Sequence, residues 1–429
     1  MAGETNKRQI LFDAAFIEIK GEILGRLDLR HDMEDDEVLD AIEHIVLEKS
    51  FERYFTLSER KRLTERVFNS IRRLDIIQPL VDDSGISEIM VNGQRDIFVE
   101  RGGRVLKTGL AFDTIEKLED VIQNIVTKVN RTVNEASPIV DARLTDGSRV
   151  NVVLRPIAID GPVLTIRKFP EKPMSMERLL SFGSVDAQVS GLLSTLVKAR
   201  YNIFISGGTG SGKTSLLNAI AALIPDEERV ITIEDSAELQ LKSLKNLVRL
   251  ETRNANTEGK GQIDMGSLIK ASLRMRPDRI IVGEVRDGLA AYYMLQSMNT
   301  GHDGSLTTGH ANSAADMLAR LETMVLSEEA IPLEAIRRQI ASAVDVIIHV
   351  ARLRDGSRKV AEISELDGMS DGEIVINKLF EFIETVGSDS DNPDNNAVVN
   401  GAFRYTGNKI RNTMKLGLAG MRSDYFETG

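Results

Sequence analysis

The chain has 429 residues, 42% of them hydrophobic and 28% charged, the profile of a soluble globular protein with length for two or three domains. It contains no cysteine, which excludes disulfides, iron–sulfur clusters, cysteine-ligated zinc and a thiol nucleophile. A net charge of −11 argues against nonspecific DNA binding over the whole surface, and no specific nucleic acid binding is expected.

Residues 1–76 read as a helical N-terminal extension. "DDEVLDAIEHIVLEK" places Val38, Ile42, Ile45 and Val46 on one stripe at helical spacing. "LSERKRLTERVFNSIRRL" takes Ser58 as its N-cap and repeats apolar residues at Leu63, Val67, Ile71 and Leu74. No glycine or proline falls between Arg26 and Gln78, as a small bundle requires. Charge is uneven here: residues 1–50 carry 6 basic and 13 acidic side chains, residues 51–75 carry 7 basic and 4 acidic. Two solvated helical faces or a docking surface would both produce that pattern. "MAGETNKRQILFDAAF" lacks the apolar core of a secretory signal. No run reaches the roughly 18–20 apolar residues that span a bilayer. The expectation is a cytoplasmic protein able to dock on a membrane protein.

Residues 77–169 read as an α+β domain. "ISEIMVNGQRDIFVERGGRVLKTG" gives short strands turning at Asn92-Gly93 and Gly102-Gly103. "TIEKLEDVIQNIVTKVN" is an amphipathic helix, and "SRVNVVLRPIAIDGPVLTIRKF" gives two strands around Asp160-Gly161. Residues 170–178, opening "PEKPMS", form a proline-punctuated linker. From 179 to 385 strands and helices alternate. Strands are expected near 201–206, 229–234, 246–251, 279–283 and 303–309, with helices including 213–223, 287–299 and 312–326. That alternation indicates an α/β architecture, a mostly parallel sheet covered by helices. Residues 386–429 are taken as a flexible linker and tail, the tail ending in a helix with Ile410, Met414, Leu418 and Met421 on one face.

The most informative stretch is "FISGGTGSGKTSLLNAI". Gly207, Gly212, Lys213 and Thr214 match G-x-x-x-x-G-K-[ST], between an apolar strand and a helix. Across Gly207, Gly208, Thr209, Gly210, Ser211, Gly212, Lys213, Thr214 and Ser215, backbone N–H groups can curl around a phosphate, helped by the positive end of the following helix. Lys213 then reaches the β- and γ-phosphates and the Thr214 hydroxyl ligates Mg²⁺.

Hydrolysis also needs carboxylates to hold the metal shell and orient water. "RVITIEDSAEL" ends a strand in Glu234, Asp235 and Glu238; "RIIVGEVRD" ends another in Glu284, Arg286 and Asp287. Ligands in open α/β sheets sit at the carboxyl ends of strands, so both clusters can face the phosphates. A third strand ends at His310, placed to sense the γ-phosphate or to serve structure alone.

In chain order, "SGGTGSGKT", "TIEDSAEL", "RMRPDRIIVGEVRD" and "TGHDGSLTTGHANSAADMLARLE" resemble the Walker A, Asp box, Walker B and His box of the secretion ATPases. These are the hexameric traffic ATPases of type II and type IV secretion and of type IV pili. "DGSRVNVVLRP" and "GPVLTIRKF", with the helical extension, look most like the CpaF/TadA branch that powers Flp-type pili. The resemblance spans residues 77–365. It implies a RecA-like P-loop ATPase domain preceded by the α+β domain, with ATP and Mg²⁺ as substrate and cofactor. It also implies a homo-hexamer working at the inner membrane on a polytopic platform protein. By the same resemblance, Glu234 polarises the attacking water and Glu284 supports the Mg²⁺ shell, roles that could be exchanged. His310 becomes a γ-phosphate-linked residue. Arg149 and Arg167, with Arg155 a weaker match, are the arginines the N-terminal domain supplies to the nucleotide, and "PEKPMSME" is the hinge between the domains. The four-cysteine metal site of many pilus-extension and type II secretion members is missing, which disfavours those branches. A conjugation or DNA-transfer ATPase shares every nucleotide residue and remains the alternative.

Overall fold

A computed structural model describes residues 2–26, 34–169, 172–253, 255, 260–385 and 399–421. The chain divides into two units, Met1–Glu171 and Lys172–Gly429.

The first unit opens with helices α1 (Ala2–Arg26), α2 (Asp35–Arg53) and α3 (Leu57–Arg72), followed by a 3₁₀ turn at Asp75–Ile77 and the short α4 (Gln78–Asp82). Phe12, Phe16, Ile19 and Ile23 of α1 close a core with Val38, Ile42, Ile45, Val46, Leu63 and Val67. The N-cap of α3 is Thr56 rather than Ser58. Its hydroxyl accepts from Glu59 N–H while Glu59 returns a carboxylate to Thr56 N–H, a capping box that lies two residues earlier than the expected cap. Leu74 also departs from the helical stripe. It lies beyond α3 and packs with Ile77 into the core of the following sheet, while Ile71 stays against the bundle.

That sheet has six antiparallel strands: β1 (Ile86–Asn92), β2 (Asp96–Arg101), β3 (Arg104–Lys107), β4 (Ile139–Arg143), β5 (Arg149–Val153) and β6 (Val163–Arg167), in the order β3-β2-β1-β6-β5-β4. Helix α5 (Ile115–Lys128) covers one face with Leu118, Val121, Ile122, Ile125 and Val126. Register places Arg149 of β5 directly opposite Arg167 of β6, and Arg167 opposite Glu88 of β1.

The second unit begins with α6 (Met176–Ser181) and α7 (Ala187–Lys198). It continues through β7 (Ile203–Gly207), α8 (Lys213–Ala221), β8 (Arg229–Glu234), β9 (Asn246–Glu251), α9 (Met265–Ser272), β10 (Arg279–Val282) and α10 (Gly288–Asn299). β11 (Leu306–His310), α11 (Ala314–Glu328), α12 (Leu333–Ala343), β12 (Val346–Arg352), β13 (Arg358–Ser370) and β14 (Glu373–Glu384) follow, then β15 (Gly401–Tyr405) and α13 (Met414–Leu418). One nine-stranded sheet runs β15-β14-β13-β12-β7-β11-β10-β8-β9. The strands from β12 to β9 in that order are parallel, and β13, β14 and β15 add an antiparallel edge. Every residue of β7 and β10 is buried, the consequence of helices on both faces and the reason these strands read as unbroken apolar runs.

The expected tail is partly corrected. Gly401–Tyr405 pairs with β14 as the edge strand of the nine-stranded sheet. No helix carries Ile410, Met414, Leu418 and Met421 on one face: Ile410 is buried ahead of a five-residue helix in which Leu416 is buried while Met414 and Leu418 are exposed. Tyr201 donates to the Asn412 carbonyl, the fully buried Glu365 accepts from the backbone N–H groups of Arg411 and Asn412, and Lys415 pairs with the buried Asp345. A C-terminal strap is thereby bonded to strands laid down much earlier. The linker expected at 386–396, and Pro170 and Glu171 at the start of the hinge, lie outside the described residues.

Candidate nucleotide hydrolysis site

Four parallel strands bring the predicted residues to one edge. β7 ends at Gly207 and passes into the phosphate loop, with β11 beside it, then β10, then β8. His310 is the last residue of β11, Glu284 lies two residues past β10, and Glu234 is the last residue of β8.

The loop is shaped by its glycines. A Cβ on Gly207 would collide with the Val350 carbonyl and the Ser211 hydroxyl, and Gly210 and Gly212 hold φ of 69° and 101°, where side chains are strained. Gly212 caps α8, so Lys213 and Thr214 begin the helix with their N–H groups facing the loop. Lys213 is buried, and its ammonium donates to the carbonyls of Gly207 (3.2 Å) and Gly208 (3.0 Å) and to Nδ1 of His310 (3.2 Å). An ammonium has no acceptor, so His310 must accept at Nδ1, and its neutral ring carries the proton at Nε2. Burial lowers the His310 pKa and Lys213 lowers it further, against the opposing pull of Glu284, which keeps the ring neutral at pH 7. Nε2 lies 2.6 Å from Glu284 Oε1.

The line of contacts continues through the second acidic cluster. Glu284 Oε2 accepts from Arg286 Nε (3.0 Å) and Nη2 (2.6 Å), and Arg286 Nη1 reaches Asp235 Oδ2 at 3.2 Å. A continuous polar chain, Lys213–His310–Glu284–Arg286–Asp235, thus crosses all four strand ends. Glu234 stands beside it. Only 3% of its surface is exposed, one oxygen accepts from the N–H groups of Glu238 (2.7 Å) and Leu239 (2.9 Å), and Oε1 has no partner. Desolvation pushes its pKa up to about 7 despite those two donors. A Cβ on Gly283 would sit 3.1 Å from Glu234 Cγ, so the glycine before Glu284 leaves room for the acid of the neighbouring strand. Asp287, the third acid of its cluster, is turned to structure and caps α10 through Ala290 N–H.

Residues 71–392 match the family model described as Type II/IV secretion system protein. The chain belongs to this secretion family. It is 34% identical over 297 residues to a putative conjugal transfer protein of Mycobacterium tuberculosis, covering 68% of this chain and 84% of that one. The conjugal transfer protein TrbB of Rhizobium radiobacter is 37% identical over 317 residues, 73% of this chain and 93% of the relative. The pilus retraction motor PilT, solved with bound ADP, shares the fold at a TM-score of 0.50 and 20% identity, covering 71% of this chain and 82% of that one. The fold is the RecA-like one with an N-terminal domain. The first 70 residues, holding α1, α2 and nearly all of α3, lie outside the family match. No helix among the described residues is long and apolar enough to cross a membrane.

Sequence reasoning missed two neighbours of the loop: Ser206 hydrogen-bonds His349 of β12 at 2.9 Å, and Arg358 Nε donates to the Gly210 carbonyl at 2.8 Å. Both depend on β12 and β13 joining the sheet beside β7. The sequence places Arg286 in the second acidic cluster without a role; the structure shows it bridging the acids.

Proposed function

We propose that this protein hydrolyses ATP in a hexameric ring to drive assembly of a Flp-like type IV pilus, as a member of the CpaF/TadA branch. The observation that carries the hydrolytic part is the convergence of a buried, partner-free Glu234 oxygen with Lys213, His310 and Glu284 at one sheet edge. The triphosphate lies in the glycine loop, against N–H groups and Lys213. An apolar cavity of about 340 Å³ adjoins it, lined by Ser215, Leu216, Leu179, Phe182, Arg358 and Val360, and takes the nucleoside end. Among the described residues no three acids or histidines gather as a ready-made metal cage. Thr214, and Glu284 through water, would hold Mg²⁺ beside the phosphates, and the ion would supply positive charge to offset theirs.

Glu234 takes a proton from the attacking water as its oxygen bonds to the γ-phosphorus and the bond to the bridging β–γ oxygen breaks. A base with a pKa near 7 suits this task at neutral pH. Arg149 and Arg167 supply charge from the N-terminal domain. Closure about residues 170–178 in turn around the ring moves a membrane platform protein, placing the enzyme at the cytoplasmic face of the inner membrane.

The relatives' names favour a second reading, a conjugal or DNA-transfer secretion ATPase with the same site. The helical bundle outside the family match supports the pilus branch. Lys213→Ala and Glu234→Gln test the enzyme: wild-type turnover in either purified variant overturns the site. Neighbouring genes for prepilins, or for relaxase and mating-pair proteins, separate the two cargoes.

A further inference from the structure

We propose that Arg286 is a positioning residue for hydrolysis: its guanidinium ties the carboxylates of Glu284 and Asp235 together across two strand ends and fixes which oxygen Glu284 turns to the site. The proposal rests on the ATPase reading above and adds to it a residue outside the phosphate loop and the acids.

The backbone on either side of Arg286 is pinned. Val285 N–H donates to the Thr308 carbonyl of β11 at 2.9 Å, and Asp287 caps α10. The guanidinium therefore starts from a fixed place. Two of its nitrogens converge on Glu284 Oε2, leaving Oε1 facing His310 Nε2 at 2.6 Å with no hydrogen bond of its own, and the third reaches Asp235. Asp235 is itself held from just past β9, where Thr252 Oγ1 donates to its Oδ1 at 3.2 Å. The result spans β10, β8 and β9 in one chain of contacts. Without Arg286, Glu284 has no partner to hold Oε2, and two carboxylates stand uncompensated beside the place where a triphosphate binds. The fork of a guanidinium serves both acids at once, which a single ammonium cannot do with the same geometry.

The side chain is 52% exposed, so the pairs contribute little to folding, and their removal leaves a folded enzyme to assay. A merely structural arginine would change the melting temperature. A positioning arginine changes turnover.

The test uses the full chain with Arg286→Ala, Arg286→Lys, Asp235→Asn and the Arg286→Ala/Asp235→Asn double variant. ATP turnover, the Kd of a fluorescent ATP analogue and the melting temperature are measured on each. The expected result is a fall in kcat of about 10–100-fold for Arg286→Ala, the range for residues that orient ligating groups, with Kd and melting temperature near wild type. Arg286→Lys restores part of kcat. The double variant is no slower than Arg286→Ala, since the two side chains act as one unit. Wild-type kcat in Arg286→Ala overturns the assignment, as does an additive double variant or a loss confined to Kd. If Arg286→Ala is unaffected while Lys213→Ala is inactive, this assignment alone fails; equal turnover in wild type and Lys213→Ala removes the ATPase reading with it.

Discussion

Glu234 carries the clearest consequence at the scale of single residues. Its carboxyl is ionised only above about pH 7, and only the ionised form can accept a proton. The acidic limb of the kcat/KM profile should therefore fall near pH 7, and a limb near the ordinary carboxylate range would remove Glu234 as the base. The same burial acts on stability with a defined sign. A carboxyl whose pKa is raised in the folded state binds its proton more tightly there. Folding loses stability as pH rises from the unfolded pKa to about 7 and nothing further above it. Glu234→Gln should thus gain little over wild type at pH 4 and the most, on the order of 1–3 kcal/mol, above pH 7. Thermal melts of the two proteins across that window check it. His310→Ala tests the neighbouring contacts: it should cut turnover while leaving a nucleotide bound, read by the same Kd assay. The site's acids were legible in sequence because each ends an apolar run. The pairing of Lys213 with His310 was not, since it depends on β11 lying next to β7 although about 100 residues separate them.

Elements were read well where burial on both faces made strands uniformly apolar. β8 falls on its expected bounds and β7 and β10 within two residues; β9, a half-exposed edge strand, falls on its bounds as well. They were missed where no local pattern exists. β15 is five residues of mixed exposure whose only reason to be a strand is β14, reached across the residues that precede it. The cap of α3 was misplaced because Ser58 and Thr56 both qualify, and Glu59, three residues after Thr56, was the deciding signal. The strap that follows β15 supplies a test of its own. Lys415→Met leaves Asp345 buried without its cation. Removing one partner of a buried pair costs about 3–5 kcal/mol, less here because the lysine side chain is 17% exposed. A melting temperature unchanged in that variant would show the strap to be ornamental.

At the scale of the whole molecule the bundle and the arginine pair separate coupling from chemistry. The bundle closes its own core, and the family match begins only at residue 71. A chain lacking residues 1–70 should keep ATP turnover and lose filament assembly in cells; loss of turnover would place the bundle in the catalytic cycle. Arg149→Ala and Arg167→Ala should lower kcat with nucleotide binding by the second unit intact. The strap adds an order in time. Asp345 and Glu365 are synthesised before Arg411, Asn412 and Lys415, the residues that satisfy them in the folded unit. On the ribosome, N-terminal domains fold first. The bundle and the α+β domain can settle during synthesis, while a chain that stops before Arg411 would leave Glu365 and Asp345 in the second unit without these partners.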